Sequence, residues 1–434
     1  MMSNDIIAAG GFVVLFLLLL LRVPIGVAMG IVGVGGFGML SAWTPALNLL
    51  SLSPIRTVTD YSLGLVPMFI LMGAVASASG MSSELYRAAN AFLGHRRGGL
   101  AMATITACGG FSAICGSSVA TAATMAKVAL PEMRKYGYPD TLATGAVAGG
   151  GTLGVLIPPS IVLAIYGVMT EQDIGRLFIA GLVPGLLALA MYLVTVRIYV
   201  AVAGSGIPAQ PRAGWGERLA ALRGVWAILL LFIFVIGGIY GGIFTPSEAA
   251  GMGAAGAIII SVVRRRMGWR RLYQCLLESI QVTAGIFMIL IGAILFGYFL
   301  TITQTPQKVT NFLLSLELGA YPTLLLILLF MVLLGCILDA MAMIILMIPI
   351  LFPVVLALGF DPIWFGVIIV MTVELGLITP PIGMNVFVIN TLARDVSLPT
   401  IYRGVMPFVA TDILRLGLLI AFPWVVLWLP NTMQ

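Results

Sequence analysis

The stretch GGGTLGVLIPPS, Gly149 to Ser160, places four glycines and two prolines in the middle of a long apolar segment, Leu142 to Met169. The segment is long enough to cross a membrane, but glycine and proline at its centre interrupt helical hydrogen bonding. Backbone groups freed in this way cost on the order of several kcal/mol each if they face lipid. The break is therefore expected to face a bound ion or substrate, with the freed carbonyls as ligands.

The composition is that of a polytopic membrane protein. Of the 434 residues, 61% are hydrophobic and 9% are charged, whereas soluble domains average about 25% charged residues. Apolar runs long enough to cross a lipid bilayer recur along the chain. The net charge of +6 comes mostly from short basic loops, which are typical of cytoplasmic loops, and it requires no nucleic acid partner. The four cysteines lack any CxxC spacing, which favours reduced packing residues.

Two pairs of short apolar segments, 99–116 with 118–131 and 323–337 with 341–358, are each divided by a small or polar tip. The tips are Gly116-Ser117-Ser118 and Leu338-Asp339-Ala340. Each half can reach about mid-membrane and return, which predicts two re-entrant hairpins, called hairpin 1 and hairpin 2. The basic loops place the ends of hairpin 1 in the cytoplasm and, by counting spans, the ends of hairpin 2 and the N-terminus outside.

An internal repeat links the two halves of the chain. Glycines, prolines and one leucine recur at a constant shift of 222 residues, or 223 after one insertion: Pro131, Gly137, Leu153, Gly154, Pro158, Pro159, Gly181 and Pro184 match Pro353, Gly359, Leu375, Gly376, Pro380, Pro381, Gly404 and Pro407. Because hairpin 1 opens inside and hairpin 2 outside, the repeats have inverted topology. That architecture is typical of secondary transporters whose site lies at the midplane between the repeats.

The predicted fold is an all-α polytopic membrane protein with two re-entrant hairpins and two broken helices, of the elevator transporter type. Its segments are N-terminal scaffold helices (1–60), repeat 1 (61–202, with the hairpin at about 99–131 and the broken helix at 141–169), cytoplasmic loops and scaffold helices (203–277), and repeat 2 (278–434, with the hairpin at about 323–358 and the broken helix at 363–390). Further scaffold candidates are 177–202 and the C-terminal span.

Oxygen donors gather at both breaks. Carbonyls around Gly154 and Ile157 suit a hard ion such as sodium, and the matching stretch GLITPPIGMN, Gly376 to Asn385, adds the Thr379 hydroxyl and the Asn385 amide. These patterns predict two sodium sites. A proton relay would instead require titratable side chains, of which Asp339 and Glu374 are the central candidates.

The hairpin tips add a predicted substrate site. Ser117 and Ser118 precede an apolar half-helix whose N-terminus would present N–H groups and partial positive charge to a carboxylate. Asp339 can cap the half-helix of hairpin 2 or bind an ion or the substrate. Glu374, aligned with Thr152, is a candidate for coupling or substrate access.

Several motifs together resemble one known family. These are FSAICGSSVATAA (111–123), LPEMRKYGY (130–138), LGVLIPPSIVLAIYG (153–167), LFIAGLVPG (177–185) and GGIYGGIFTPSEAAG (237–251). They are similar to the large membrane subunit of tripartite ATP-independent periplasmic (TRAP) transporters, over essentially the whole length. The resemblance implies sodium-driven import of organic acids such as C4-dicarboxylates or sialic acids across the bacterial inner membrane by an elevator mechanism.

The resemblance also implies partners and site residues. A periplasmic binding protein would deliver the substrate, and a small four-helix membrane subunit, on a separate chain, would support this one. One sodium site would comprise Ser112, Ser117, Ser118, Gly154, Ile157 and Pro159, and the other Gly335, Asp339, Gly376 and Thr379; the substrate candidates are Ser117, Ser118, Ser160, Asp339 and Asn385. Cys115 departs from the family pattern, because members often carry serine there.

Two other functional classes are the alternatives to this interpretation. A membrane-embedded enzyme would need an acid–base or metal constellation, and the chain has one histidine and no HExxH motif. A single-component sodium/carboxylate symporter or antiporter of the same superfamily shares the inverted hairpins and is the alternative to the tripartite system.

Overall fold

The computed structural model describes residues 4–203 and 209–433. Residues 1–3, 204–208 and 434, which fall in the predicted first, third and last segments, lie outside the described residues. The described residues form α-helices joined by short connections and two 3-10 turns. In chain order the helices are α1 (Asn4–Leu20), α2 (Ile25–Leu40), α3 (Trp43–Thr59), α4 (Leu65–Ala78), α5 (Met81–Leu93), α6 (Gly99–Cys115), α7 (Ser118–Lys135), α8 (Asp140–Leu156), α9 (Ile161–Thr170), α10 (Ile174–Ala203), α11 (Trp215–Tyr240), α12 (Pro246–Val263), α13 (Trp269–Ile302), α14 (Thr305–Ser315), α15 (Ala320–Gly335), α16 (Ala340–Ala357), α17 (Pro362–Ile378), α18 (Met384–Leu392), α19 (Leu398–Ala421) and α20 (Trp424–Leu427).

The predicted membrane architecture is confirmed. By length and composition, seven helical stretches of the described chain can cross a membrane, or eight if α3 and the segment 62–78, bent by 62°, form one span. Hairpin 1 consists of α6 and α7, and hairpin 2 of α15 and α16. The broken helices are α8–α9 and α17–α18, each interrupted at its Pro-Pro pair. Gly116, with φ of +65°, makes the turn of hairpin 1 at little steric cost.

Contacts at the two ends of the helices establish the inverted order. At one end of the helices, Arg134 in the last turn of α7 pairs at 2.8 Å with Asp395, which lies between α18 and α19. At the other end the Tyr166 hydroxyl of α9 donates to the Pro362 carbonyl at 2.7 Å. The start of α8 therefore lies on the same side of the protein as the end of α18, and the start of α17 lies on the same side as the end of α9.

The helices pack as two groups. In one, α13 packs against α2, α3 and α4, while α12 contacts α4 and α11. In the other, α10 packs against α6, α8, α9, α17 and α19. The segment 177–202 and the C-terminal span, both predicted to belong to the scaffold, pack against the broken helices. Their assignment to the scaffold stays a prediction. Contacts of α4 with α6, α5 with α11 and α13 with α16 join the groups.

Three helices lie where no span was predicted. They are α3, which lies between α2 and α4, α5, which lies between α4 and hairpin 1, and α14, which lies between α13 and hairpin 2. Helix α5 has buried residues on one side, including Met81, Leu85 and Ala89, and links the first group of helices to hairpin 1. These stretches lack the continuous apolar run that marks a span in the sequence.

Candidate functional site

The first break, which we call break 1, covers residues 157–160 between α8 and α9. Its Pro158–Pro159 peptide bond is cis. Ser160 is completely buried, and its hydroxyl caps α9 by accepting the Leu163 N–H at 3.2 Å. Proline has no N–H group to donate to the helical hydrogen bonds, so α8 ends here. The second half-helix, α9, then begins with an N-terminus of its own.

The tip of hairpin 1 docks directly on break 1. A Cβ on Gly154 would lie 2.5 Å from the Ser117 carbonyl oxygen, and one on Gly116 would lie 2.8 Å from the Pro159 carbonyl oxygen. Ser117 caps α7 by accepting the Ala120 N–H at 3.4 Å. Only glycine permits this approach of two backbones. The structure thus brings Ser117, Gly154 and Pro159 together, as predicted for the first ion site.

Break 2 covers residues 379–383 between α17 and α18, and its Pro380–Pro381 bond is also cis. A Cβ on Gly376 would lie 2.7 Å from the Gly335 Cα, so hairpin 2 docks on this break as hairpin 1 does on the other. Asp339 caps α16 by accepting the N–H groups of Met341 and Ala342 at 2.9 and 3.0 Å. The capping role considered for Asp339 is therefore present.

Some polar groups of break 2 have hydrogen-bond partners in the described chain and others do not. The Tyr402 hydroxyl lies 2.9 and 2.7 Å from the carbonyl oxygens of Pro381 and Ile382, and the Cys336 thiol lies 3.1 Å from that of Pro380. The predicted freeing of carbonyls is thus partly offset by donors that the sequence did not reveal. Asn385 is completely buried, and neither its amide oxygen nor its amide nitrogen has a partner in the described chain. Asn385 therefore has unused capacity for a ligand.

The hydroxyls near the breaks retain acceptor capacity. Ser112 donates to the Cys108 carbonyl at 2.6 Å, and Thr379 donates to the Leu375 carbonyl at 2.6 Å. A hydroxyl that donates its hydrogen still presents lone pairs. Hydroxyl and carbonyl oxygens are hard donors, which fit a sodium ion better than a soft metal. Ligation by these residues stays a prediction.

Each hairpin also packs on the other repeat. Helix α7 contacts α8 of its own repeat and α18 of the other, and α16 contacts α17 of its own repeat and α9 of the other. Each hairpin therefore contacts the broken helix of its own repeat and also the second half of the broken helix of the other repeat. Ser118, at the start of α7, lies near the buried Glu374 carboxylate of α17.

A buried charged cluster lies between α8, α10, α17 and α19. Asp412 pairs with Arg415 at 2.8 Å and accepts the Tyr192 hydroxyl hydrogen at 2.6 Å, while Tyr192 also lies 2.9 Å from the Thr152 hydroxyl. Both oxygens of Glu374 lack a hydrogen-bond partner among the described residues. Opposite charges three residues apart in an apolar helix, Asp412 and Arg415, were the signal in the sequence that could have located this cluster.

The comparisons with known proteins agree on one family. The family model described as "Tripartite ATP-independent periplasmic transporter, DctM component" matches residues 12–425. The chain belongs to this family. The family is one of transport permeases with varied substrates.

Three relatives illustrate that range for the DctM family. The C4-dicarboxylate TRAP transporter large permease protein DctM of Pseudomonas aeruginosa is 38% identical, covering 92% of this chain and 93% of that protein. The isethionate TRAP transporter permease protein DctMQ of Oleidesulfovibrio alaskensis is 33% identical, covering 92% and 62%. The ectoine TRAP transporter large permease protein TeaC of Halomonas elongata is 32% identical, covering 95% and 96%.

A solved structure shares the fold of this DctM-family chain. The YdaH transporter of Alcanivorax borkumensis, whose crystal structure is described as revealing an unusual topology, gives a TM-score of 0.56 at 17% identity, over 88% of this chain and 90% of that one. The likeness supports the all-helical fold. That the chain is a multi-pass membrane transporter follows from its membership of the DctM family and from its apolar helices.

Proposed function

We propose that this permease is the large transmembrane subunit of a tripartite transporter of the bacterial inner membrane that uses a sodium gradient to import an organic acid. The observation that supports this most directly is the docking of each hairpin tip on a broken helix, twice and in opposite orientations. At each place, a glycine of one segment meets the backbone of the facing segment, and the hydroxyls of Ser112 and Thr379 belong to the two sites. This arrangement suits two ions and, beside the N-terminus of α7, a carboxylate.

An elevator mechanism is consistent with the two groups of helices. The group of hairpins and broken helices would carry the bound substrate past the group built on α2, α4, α12 and α13. Within the moving group, Gly154 and Gly376 keep the tips close to the breaks, and Ser117 and Asp339 cap the half-helices whose N-termini face the site. Sodium would supply the positive charge that lets a carboxylate occupy a site of low dielectric.

Two partners belong to the proposal. A periplasmic binding protein would deliver the substrate, and a small four-helix membrane subunit would broaden the stationary group. The chain spans 62% of the longer relative DctMQ, which leaves room there for a second membrane subunit on the same polypeptide.

Reconstitution into proteoliposomes tests the proposal. With the small subunit, the binding protein and an imposed sodium gradient at constant pH, we expect concentrative uptake, and none by the chain alone. Uptake by the chain alone would favour the single-component symporter. Uptake driven by a pH gradient without sodium would contradict sodium coupling.

A further inference from the structure

An open cavity of about 770 Å³ lies where the end of α4 meets the turn between α12 and α13. Its lining includes Ser79, Gly80 and four arginines, Arg265, Arg266, Arg270 and Arg271. The cavity is remote in sequence from both breaks and both hairpin tips, so the transport site leaves it without a role.

The turn that follows α12 brings the arginines together. The N–H groups of Arg265 and Arg266 donate back to the carbonyls of Val262 and Ser261 at 2.8 and 2.9 Å, which ends α12 abruptly. Arg265 has φ of +54°, a left-handed conformation that a non-glycine residue adopts only at a cost in strain. Helix α13 then begins at Trp269 and places Arg270 and Arg271 on the same cavity.

The positive charge of this cluster is only partly neutralised. Glu84 of α5 pairs with Arg264 at 2.7 Å and with Arg266 at 2.8 Å. In the described parts of the chain no acidic side chain lines the cavity, and no salt bridge joins Arg265, Arg270 or Arg271. Arg265, Arg270 and Arg271 thus line one cavity without a counter-charge, and a multivalent oxyanion would neutralise their charge.

The surroundings match the level of lipid headgroups. The apolar length of α13 runs into the membrane from this turn, and Trp269 at its start is 82% exposed, as is typical of aromatic residues at the interface. Tyr273, Leu277 and Ile280 continue along one exposed face of α13, which offers an apolar track for an acyl chain. The concentration of basic residues places the cavity on the cytoplasmic side.

We propose that this cavity binds the phosphate headgroup of an anionic phospholipid of the cytoplasmic leaflet, with an acyl chain lying along α13. The occupied cavity would hold the end of α4 against the start of α13. The inference rests on the cavity and its charges alone and does not depend on the transported substrate or the coupling ion.

The test compares phosphatidylglycerol with phosphatidylcholine of the same acyl chains, added to the purified full chain in a nonionic detergent. Native mass spectrometry and thermal unfolding report binding. We expect Arg265→Gln/Arg270→Gln/Arg271→Gln, which leaves the Glu84 pairs intact, to bind phosphatidylglycerol about a hundredfold more weakly than the natural chain. The matched control Arg96→Gln/Arg97→Gln removes two cytoplasmic charges outside the cavity and should bind as the natural chain does.

If the triple variant does not fold, Arg270→Gln and Arg271→Gln are measured singly, each with an expected loss of about fivefold. Equal affinity of the natural chain and these variants would overturn the proposal. So would equal stabilisation by phosphatidylcholine, or by inorganic phosphate or glycerol phosphate, since the last two would identify a soluble anion as the occupant. Displacement of the lipid by the small membrane subunit would likewise overturn it, by marking the cavity as a protein interface.

Discussion

In repeat 1 Thr152 lies 2.9 Å from the Tyr192 hydroxyl and 2.7 Å from the Gly149 carbonyl oxygen; its equivalent in repeat 2, at a shift of 222 residues, is Glu374, whose oxygens have no hydrogen-bond partner among the described residues. Tyr192 is matched by Arg415 at a shift of 223. In repeat 1 these two positions hold Thr152 and Tyr192, which are neutral and hydrogen-bonded to each other. In repeat 2 they hold a carboxylate, Glu374, and a guanidinium, Arg415. The tips differ likewise, Ser117 in one and Asp339 in the other.

The difference teaches which properties the repeat preserves. Glycines and prolines at matched positions preserve the backbone, because a break and a close approach require those residue types. The polar side chains have diverged, so that charge is concentrated at repeat 2. The predictions below test the shared backbone first and the diverged side chains afterwards.

The inverted order of the repeats predicts opposite labelling of the two hairpins. In a chain whose four native cysteines are replaced, Tyr136→Cys, after hairpin 1, should react with a membrane-impermeant thiol reagent only from the cytoplasm. Glu317→Cys, before hairpin 2, should react only from the periplasm. Both positions are exposed. Labelling of the two from the same side would contradict the inversion.

Both breaks should be equally intolerant of side chains. Gly154→Val and Gly376→Val should each abolish sodium-dependent uptake in proteoliposomes, because a Cβ would lie 2.5 Å from the Ser117 carbonyl oxygen and 2.7 Å from the Gly335 Cα. Gly285→Val is the control, since a Cβ there meets no atom within 4 Å, and it should transport normally. Normal uptake by Gly376→Val would contradict the second ion site.

The buried pair of α19 should show strong coupling. Arg415→Met leaves Asp412 buried with Tyr192 as its remaining partner, and breaking such a pair costs about 3–5 kcal/mol of unfolding free energy. Adding Asp412→Asn removes the unpaired charge and should restore part of the loss. Thermal unfolding in detergent measures both; losses that simply add would show that the two residues act independently.

Thr152 and Glu374 should respond oppositely to loss of their polar groups. Thr152→Val removes a satisfied hydroxyl beside Tyr192 and should cost about 1 kcal/mol of unfolding free energy. Glu374→Gln keeps the shape of the side chain and removes a buried charge whose oxygens make no hydrogen bond of normal geometry, although the Ser118 hydroxyl lies near, so stability should be unchanged or higher. A larger thermal destabilisation by Glu374→Gln than by Thr152→Val would mean that Glu374 is satisfied in the protein.

Removing the caps Ser117 and Asp339 should give the smallest difference between the two repeats in unfolding free energy. Loss of a cap costs about 0.5–2 kcal/mol, and Asp339→Ala should lie near the upper end because its carboxylate accepts two N–H groups. Ser117→Ala should lie near the lower end, since its single bond is 3.4 Å long. Ser397→Ala is the control, because Ser397 precedes α19 without a capping bond. Equal losses for all three, measured by thermal unfolding, would remove the distinction between the tips.

The backbone of the site was predictable because its signals are local. Glycine and proline mark breaks and tight turns by their own geometry, and the breaks lie at the predicted Pro-Pro pairs. The spans followed from apolar length, and the inversion followed from basic loops. The structure therefore confirms the hairpins and broken helices at nearly the predicted limits.

The side-chain partners were not predictable because they come from distant segments. Tyr192 meets Asp412 across more than two hundred residues, and Tyr402 reaches the carbonyls of break 2 from another helix. A repeat detected through glycine and proline carries no information about such partners. The packing of α10 and α19 with the broken helices was missed for a related reason, since an ordinary apolar span has no local mark of its neighbours.

The crossed packing of the half-helices has a consequence for biogenesis. Hairpin 1 is synthesised early, yet one of the surfaces that covers α7 belongs to α18, which leaves the ribosome after more than half of the chain has followed. Until then that face of α7 lacks its final neighbour, although domains generally fold in the order of their synthesis. The packing of hairpin 1 is thus completed only when the C-terminal region arrives, and a product truncated before α18 would leave that face of α7 uncovered.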